Sequence, residues 1–143
     1  MTAGVVPDPA TPFGRRLADR LRDEQVIWFT SVGADGTPQP NPVWFLWLDG
    51  AVLVYNRPDA HRLAHVRQRP RVSLHFDEDG TGEHVTVLSG EAEVLSDQPP
   101  AHESPAFLDK YGEGMRRVSG SVEAFGAAYR IPVSVRITRI RGY

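Results

Sequence analysis

The chain has 143 residues and no cysteine, so it fits one domain that buries roughly two thirds of its unfolded surface, and disulfides, thiolate metal sites and a catalytic cysteine are excluded. Its formal net charge of −2 gives no global attraction to nucleic acid or anionic lipid, so anion recognition has to come from a local cluster. No run approaches the roughly 18 apolar residues of a membrane span and the N-terminus lacks the order of a signal peptide, which makes a cytoplasmic protein the expectation.

A Pro-containing, flexible arm over residues 1–10 leads to Thr11-Pro12, an N-cap followed by proline at the first helical position. Phe13, Leu17 and Leu21 then share one face of an amphipathic helix reaching about Arg22. Gln25 to Val32 is β-branched and aromatic, and Asp35-Gly36 offers a hairpin turn after it. The next strand is expected over Val43 to Leu48, apolar on both faces, with Asp49-Gly50 turning into Ala51 to Tyr55. Pro38, Pro40 and Pro42 alternate ahead of that strand, and proline cannot donate to a ladder, so this stretch is an edge or a bulged entry. Pro58-Asp59 predicts a crossover helix of about three turns, capped by Asp59, carrying Leu63 and Val66 and ended by Pro70. Arg71 to Phe76 alternates as a half-buried strand, and His84 to Leu95 reads as a long one with a bulge at Gly90. Two weaker helices, about Pro105 to Tyr111 and Val122 to Tyr129, precede a last strand from Pro132 to Ile140. Six strands with three or four helices predict a single mainly β domain over residues 1–143, a small antiparallel barrel rather than a doubly wound sheet.

The densest charge lies between Arg57 and Arg71, where Arg57, Arg62, Arg67, Arg69 and Arg71 face one aspartate, Asp59, for a local net of +4. It surrounds the expected helix start, where free backbone N–H groups favour an anion; the alternative is a solvated helix with basic residues on its outer face. His61 and His65 are four apart on that helix, but arginines surround them and no carboxylate or thiolate completes a shell, so no metal is expected. There is no Gly-x-Ser-x-Gly, and Gly80-Thr81-Gly82 lacks the Lys-Ser/Thr of a phosphate loop. The aromatics Trp28, Phe29, Trp44, Phe45, Trp47 and Tyr55 crowd into the first three expected strands. With Trp44 and Phe45 on opposite faces, one face fills the barrel and the other needs a cofactor or a second subunit as cover.

Several of these segments together resemble the pyridoxamine-phosphate-oxidase-like split-barrel family, and within it the actinobacterial branch that uses the deazaflavin coenzyme F420. They are Asp35-Gly36, Pro42-Val43-Trp44, the run Val54-Tyr55-Asn56-Arg57-Pro58-Asp59, Arg62-Leu63, Pro70-Arg71-Val72-Ser73-Leu74 and Gly90-Glu91-Ala92-Glu93-Val94. The order and spacing carry the likeness over nearly the whole chain, and the abundance of Arg, Ala, Gly and Pro suits a GC-rich actinobacterial source. The resemblance implies a six-stranded split β-barrel of the FMN-binding type, working as a homodimer with the cofactor in a cleft at the subunit interface. Carried over by position, Val43 and Trp44 line the ring, Tyr55 and Asn56 flank the ribityl chain, and Arg57 and Arg62, with Leu63 beside them, meet the phosphate. The implied activity is F420-dependent hydride transfer to a small conjugated acceptor, the cofactor supplying the chemistry. FMN in place of F420, a haem-binding relative and a non-catalytic carrier are the alternatives. The C-terminal Arg139-Ile140-Arg141-Gly142-Tyr143 lacks the substrate-binding end of the vitamin B6 oxidases, so B6 oxidation is not expected. Arg67, Arg69 and Arg71 are expected to extend the basic surface toward the carboxylates of the F420 tail.

Overall fold

The computed structural model describes residues 4–143; the first three residues of the expected arm lie outside the described residues. Within the arm, Val5 packs against the core. The first helix, α1 (Pro12–Asp23), starts as its sequence dictates, with the Thr11 hydroxyl accepting from the Gly14 N–H at 3.0 Å. Leu17 and Leu21 are buried beneath it.

Seven strands follow, not six: β1 (Ile27–Val32), β2 (Pro38–Val43), β3 (Leu46–Leu48), β4 (Ala51–Asn56), β5 (Arg71–His75), β6 (Thr86–Val94) and β7 (Ile131–Gly142). They form one antiparallel sheet in the order β2-β1-β5-β6-β7-β4-β3. The expected strand over Val43 to Leu48 is the point of departure. Its first residue ends β2, its last three form β3, and Trp44-Phe45 breaks it in the middle. The proline run is therefore itself the strand at the sheet's edge. Pro38, Pro40 and Pro42 pair with Val32, Thr30 and Trp28. Since proline has no N–H to give β1, the ladder is carried by the alternate residues, and the outer edge of β2 offers carbonyls without donors. Such an edge resists strand addition.

β2 and β3 lie at opposite ends of the strand order yet only Trp44 and Phe45 separate them. Three Cα steps span at most about 11 Å, so the sheet has to curl until its two edges nearly meet. That closure makes a split barrel, mainly β with flanking helices. The hairpins at the two Asp-Gly turns, β1-β2 and β3-β4, thereby stand at opposite ends of the strand order. The second of these turns is tight, with Asp49 at φ 47° and Gly50 at φ 89°, the left-handed pair of a two-residue hairpin. Further curvature comes from the register shift between Ser89 and Gly90, where any Cβ at Gly90 would run into the carbonyl of Arg136.

α2 (Arg62–Gln68) begins two residues later than its sequence suggested and has about two turns. His61, not Asp59, occupies the cap position and contributes no side-chain bond. α3 (Pro105–Ser119) runs eight residues past the expected end, and α4 (Val122–Ala128) follows after Gly120 at φ 89°. The extra length of α3 matters because it lies over the sheet. Inside the barrel, Phe29, Phe45, Val52, Val54, Leu74, Leu88, Val133 and Val135 form the main core. Outside it, Leu46, Leu53 and Tyr55 meet Phe107, Tyr111, Met115 and Phe125 in a second cluster, with Trp44 against it. The second apolar face of the 43–48 run is thus covered by α3 and α4 of the same chain. Neither a cofactor nor a second subunit is needed for that cover.

Candidate cofactor-binding cleft

The end of β2, the end of β4, the start of α2 and the two C-terminal helices converge on a cavity of about 370 Å³. β2 and the crossover supply Pro42, Val43 and Trp44; β4 supplies Tyr55 and Asn56; Arg57, Asp59, Ala60 and Arg62 follow on the chain. The opposite wall is Phe107 and Val118 of α3, with Phe125 and Tyr129 at α4. Six of the seven residues expected to bind a cofactor therefore surround one space. Leu63 does not: it points into the barrel core with 4% of its surface exposed.

Trp44 is aimed by α3. Tyr111 donates its hydroxyl to the Gln25 carbonyl at 2.6 Å and accepts the Phe45 N–H at 3.0 Å, while Lys110 donates to the Phe45 carbonyl at 3.1 Å. The crossover peptide is satisfied on both sides by neighbouring helical side chains, which is what a buried interruption between strands requires. Burial pushes the Tyr111 hydroxyl well above the usual phenol range, and pushes Lys110 down to about 8. The Trp44 indole then stacks on Tyr111 (4.6 Å between centroids, 4° between planes) and on Phe125 (5.4 Å, 15°). Phe125 stacks in turn on Tyr129 at 4.4 Å, and the Arg57 guanidinium lies 5.7 Å from the Tyr129 ring. Of the four nearly parallel rings in this stack, Trp44, Phe125 and Tyr129 line the cavity, with the Arg57 cation at its end and Tyr111 behind Trp44. Gly114 permits this: a Cβ there would stand 2.8 Å from the Trp44 ring.

At the other end, Asn56 is fully buried, with both amide protons given to the backbone carbonyls of Val54 and Ile131 at 3.0 Å each. Its remaining oxygen accepts from Arg62 Nη1. Asn56 therefore acts on Arg62 and has no donor left for a ligand. Arg62 is half-buried, and among the described residues it has no carboxylate partner. Burial alone moves its pKa, and moves it down. A desolvated guanidinium whose one partner is a neutral amide retains most of its donors for an anion. Arg57 is more exposed and pairs with Asp59 at 3.6 Å. Tyr55 presents its ring, its hydroxyl being held by the Pro99 carbonyl at 2.6 Å; burial raises its pKa.

The remaining arginines of the cluster go elsewhere. Arg69 donates to the Val32 carbonyl at 2.8 Å, Arg71 at the start of β5 lines a separate groove with Thr30, Ser89 and Arg139, and Arg67 is exposed. None of the three lines the cleft, so any basic surface they add lies beyond it. A wider groove of about 850 Å³ crosses Asp49, Glu91, Glu93 and Arg136, but Arg136 is paired with Glu91 at 3.1 Å and the acidic excess repels a phosphate. His65 bonds Ser31 at 2.9 Å, and no group of three metal-ligating side chains occurs among the described residues.

The aromatic wall was not read from the sequence. Its signal is the pair of four-residue spacings, Phe107 with Tyr111 and Phe125 with Tyr129, each placing two rings on one helical face.

A family profile described as pyridoxamine 5'-phosphate oxidase matches residues 13–138. No curated protein matches the sequence. Among solved structures, a pyridoxamine 5'-phosphate oxidase of putative assignment from Listeria innocua superposes with a TM-score of 0.65 at 18% identity, covering 90% of this chain and 95% of its own. An F420 reductase superposes at 0.61 with 17% identity, covering 85% and 92%. The heme storage protein HutZ from Vibrio cholerae superposes at 0.64 with 11% identity, covering 92% and 95%. At these identities the structures share a fold with this chain.

Proposed function

We propose that this chain, which belongs to the pyridoxamine 5'-phosphate oxidase family, is an oxidoreductase that binds a phosphate-bearing tricyclic cofactor, the deazaflavin F420, in the cleft between β4, α2 and α4. The observation that carries the reading is Arg62: a half-buried guanidinium without a carboxylate partner, at one end of a cavity walled by planar side chains. Those features fit the group. Arg62, held by Asn56, orients the phosphate; Pro42, Val43 and Trp44 form the wall beside the ring; Phe107, Phe125 and Tyr129 exclude water from it. When bound, the deazaflavin supplies the hydride for a small conjugated acceptor, such as a quinone or an unsaturated ketone. The protein's part is to bind and to orient. No side-chain nucleophile is required, in keeping with a cleft whose only acid is the exposed Asp59.

The F420 reductase neighbour supports the cofactor's identity. The heme storage neighbour points to a haem carrier, but the cleft lining contains no histidine, cysteine or methionine to ligate iron, and of its two phenols Tyr55 has its hydroxyl held by the Pro99 carbonyl and Tyr129 has its ring stacked on Phe125. About 370 Å³ is at the small end of the roughly 300–1,000 Å³ of small-molecule sites, and Val118 on the rim is 50% exposed. A second copy closing the cleft accounts for both, and a two-fold dimer belongs to the proposal. Fluorescence titration of the protein with F420 and with FMN tests it, followed by turnover with quinones and enones and by sedimentation. F420 should bind more tightly than FMN, to a dimer, and turn over. FMN retained at full occupancy and not displaced by F420 would transfer the assignment to FMN; binding without turnover would leave a carrier.

A further inference from the structure

We infer that Asp59 sets the charge of the ligand the cleft accepts, so that it takes a singly charged phosphodiester in preference to a doubly charged phosphomonoester. The inference rests on the cofactor reading above and adds a specificity-determining residue to it. Three charged side chains line the cleft: Arg57, Arg62 and Asp59. Asp59 is 3.6 Å from Arg57 and engages it, whereas Arg62 is held by the neutral Asn56. One cation is left uncommitted. A diester phosphate carries one negative charge at neutral pH and is matched by Arg62 alone. A monoester has a second ionisation near pH 6 and carries close to two, so its extra charge has to displace Asp59 from Arg57 or stand uncompensated beside a carboxylate.

F420 continues from its phosphate through a diester link, whereas FMN ends in a monoester. The phosphate site thereby discriminates by itself, without Arg67, Arg69 and Arg71, which lie outside the cleft. The effect is bounded by exposure. Asp59 and Arg57 keep 80% and 55% of their side-chain surface open, and exposed pairs are worth little individually. A preference of roughly three- to fivefold at low salt is therefore expected, eroded by added salt.

The experiment uses one ring system, the ribityl deazaflavin, as its phosphomonoester and as its methyl phosphodiester, with F420 as the reference ligand. Affinities are measured by fluorescence at low ionic strength for the wild type, Asp59→Asn and Asp59→Glu. The wild type and Asp59→Glu should favour the diester, and Asp59→Asn should abolish or reverse the preference by tightening monoester binding. A monoester-to-diester ratio equal in the wild type and Asp59→Asn overturns the role of Asp59 while F420 binding leaves the cofactor reading intact. If F420 itself does not bind the wild type, both fall. Because Asp59 is exposed and caps no helix, its substitution does not threaten the fold, and unchanged thermal unfolding of each variant checks this.

Discussion

On the sheet side of the cleft, the polar groups are held by directional bonds: Asn56 is anchored to two backbone carbonyls and steadies Arg62. On the helical side, Phe125 and Tyr129 are held by ring stacking on Trp44 and on each other, and α4 packs on α3 and the 3-10 turn Ala101–Glu103. Hydrogen bonds to buried groups fix a position to within tenths of an ångström and are costly to break. Stacked rings slide at smaller cost, since each pair adds about 0.5–1.5 kcal/mol beyond its buried area. The two walls therefore suit different tasks. The sheet wall fixes one charge, and the helical wall adjusts to a planar surface.

The strongest test of that contrast is at Arg62. A charge-assisted bond to phosphate is worth roughly 1.5–3 kcal/mol, so Arg62→Glu should weaken F420 binding at least tenfold, as read by fluorescence titration. Arg67→Glu, on the same helix but outside the cleft, should change it less than about twofold. Equal losses at the two positions would return the arginine cluster to a solvated helix face and remove the special status of the sheet wall.

The difference between the walls also explains what the sequence made legible. Thr11-Pro12, the two Asp-Gly turns and the Gly90 bulge are local devices, each with its cause within a few residues, and the structure contains each of them. The run from Val43 to Leu48 misled because its apolar residues serve two clusters. Phe45 fills the barrel and Trp44 the outer cluster, and continuous apolar character hides the interruption they make between β2 and β3. Asp59 looked like a helix cap, but α2 starts after it and Asp59 pairs with Arg57 instead. Charge density alone did not separate the arginines of the cleft from those beyond it. Arg62 and Arg69 are both half-buried, yet one is held by a side-chain amide in the cleft and the other by a backbone carbonyl at the end of β1. That distinction belongs to tertiary contacts, 6 residues away in the first case and 37 in the second.

A smaller effect is expected from disturbing the helical wall. At Gly114→Ala, the new Cβ meets the Trp44 ring at 2.8 Å, and overpacking of this kind typically costs about 1–3 kcal/mol. Alanine returns up to about 1 kcal/mol in helix propensity. The remaining strain is relieved most easily by sliding Trp44 along its stack. Thermal stability should fall by only a few degrees, Trp44 emission should shift, and F420 affinity should weaken about three- to tenfold, with the ionic-strength dependence carried by Arg62 unchanged. A loss of that salt dependence would mean that the walls are coupled and the contrast is wrong.

The smallest effect concerns the staple between α3 and the crossover. Lys110 Nζ lies 3.8 Å from the Phe45 ring centroid as well as donating to the Phe45 carbonyl, and desolvation lowers its pKa from the ordinary 10.5 to about 8, against the opposing pull of Asp23 and Glu24. Between about pH 8 and 10.5 the unfolded chain keeps this proton and the folded chain has shed it, so this group makes stability rise with pH through that window. The contribution is greatest above the unfolded value and is lost as pH falls through 8, where the folded protein holds a charge that burial penalises. Because Lys110 is only half-buried, solvent screening limits the gain to about 1 kcal/mol. Urea unfolding of wild type and Lys110→Met across this range should show the rise in the wild type and its absence in the variant, on top of any dependence common to both. If the two curves run parallel, the amine titrates as in water and the crossover is held by Tyr111 without help from Lys110.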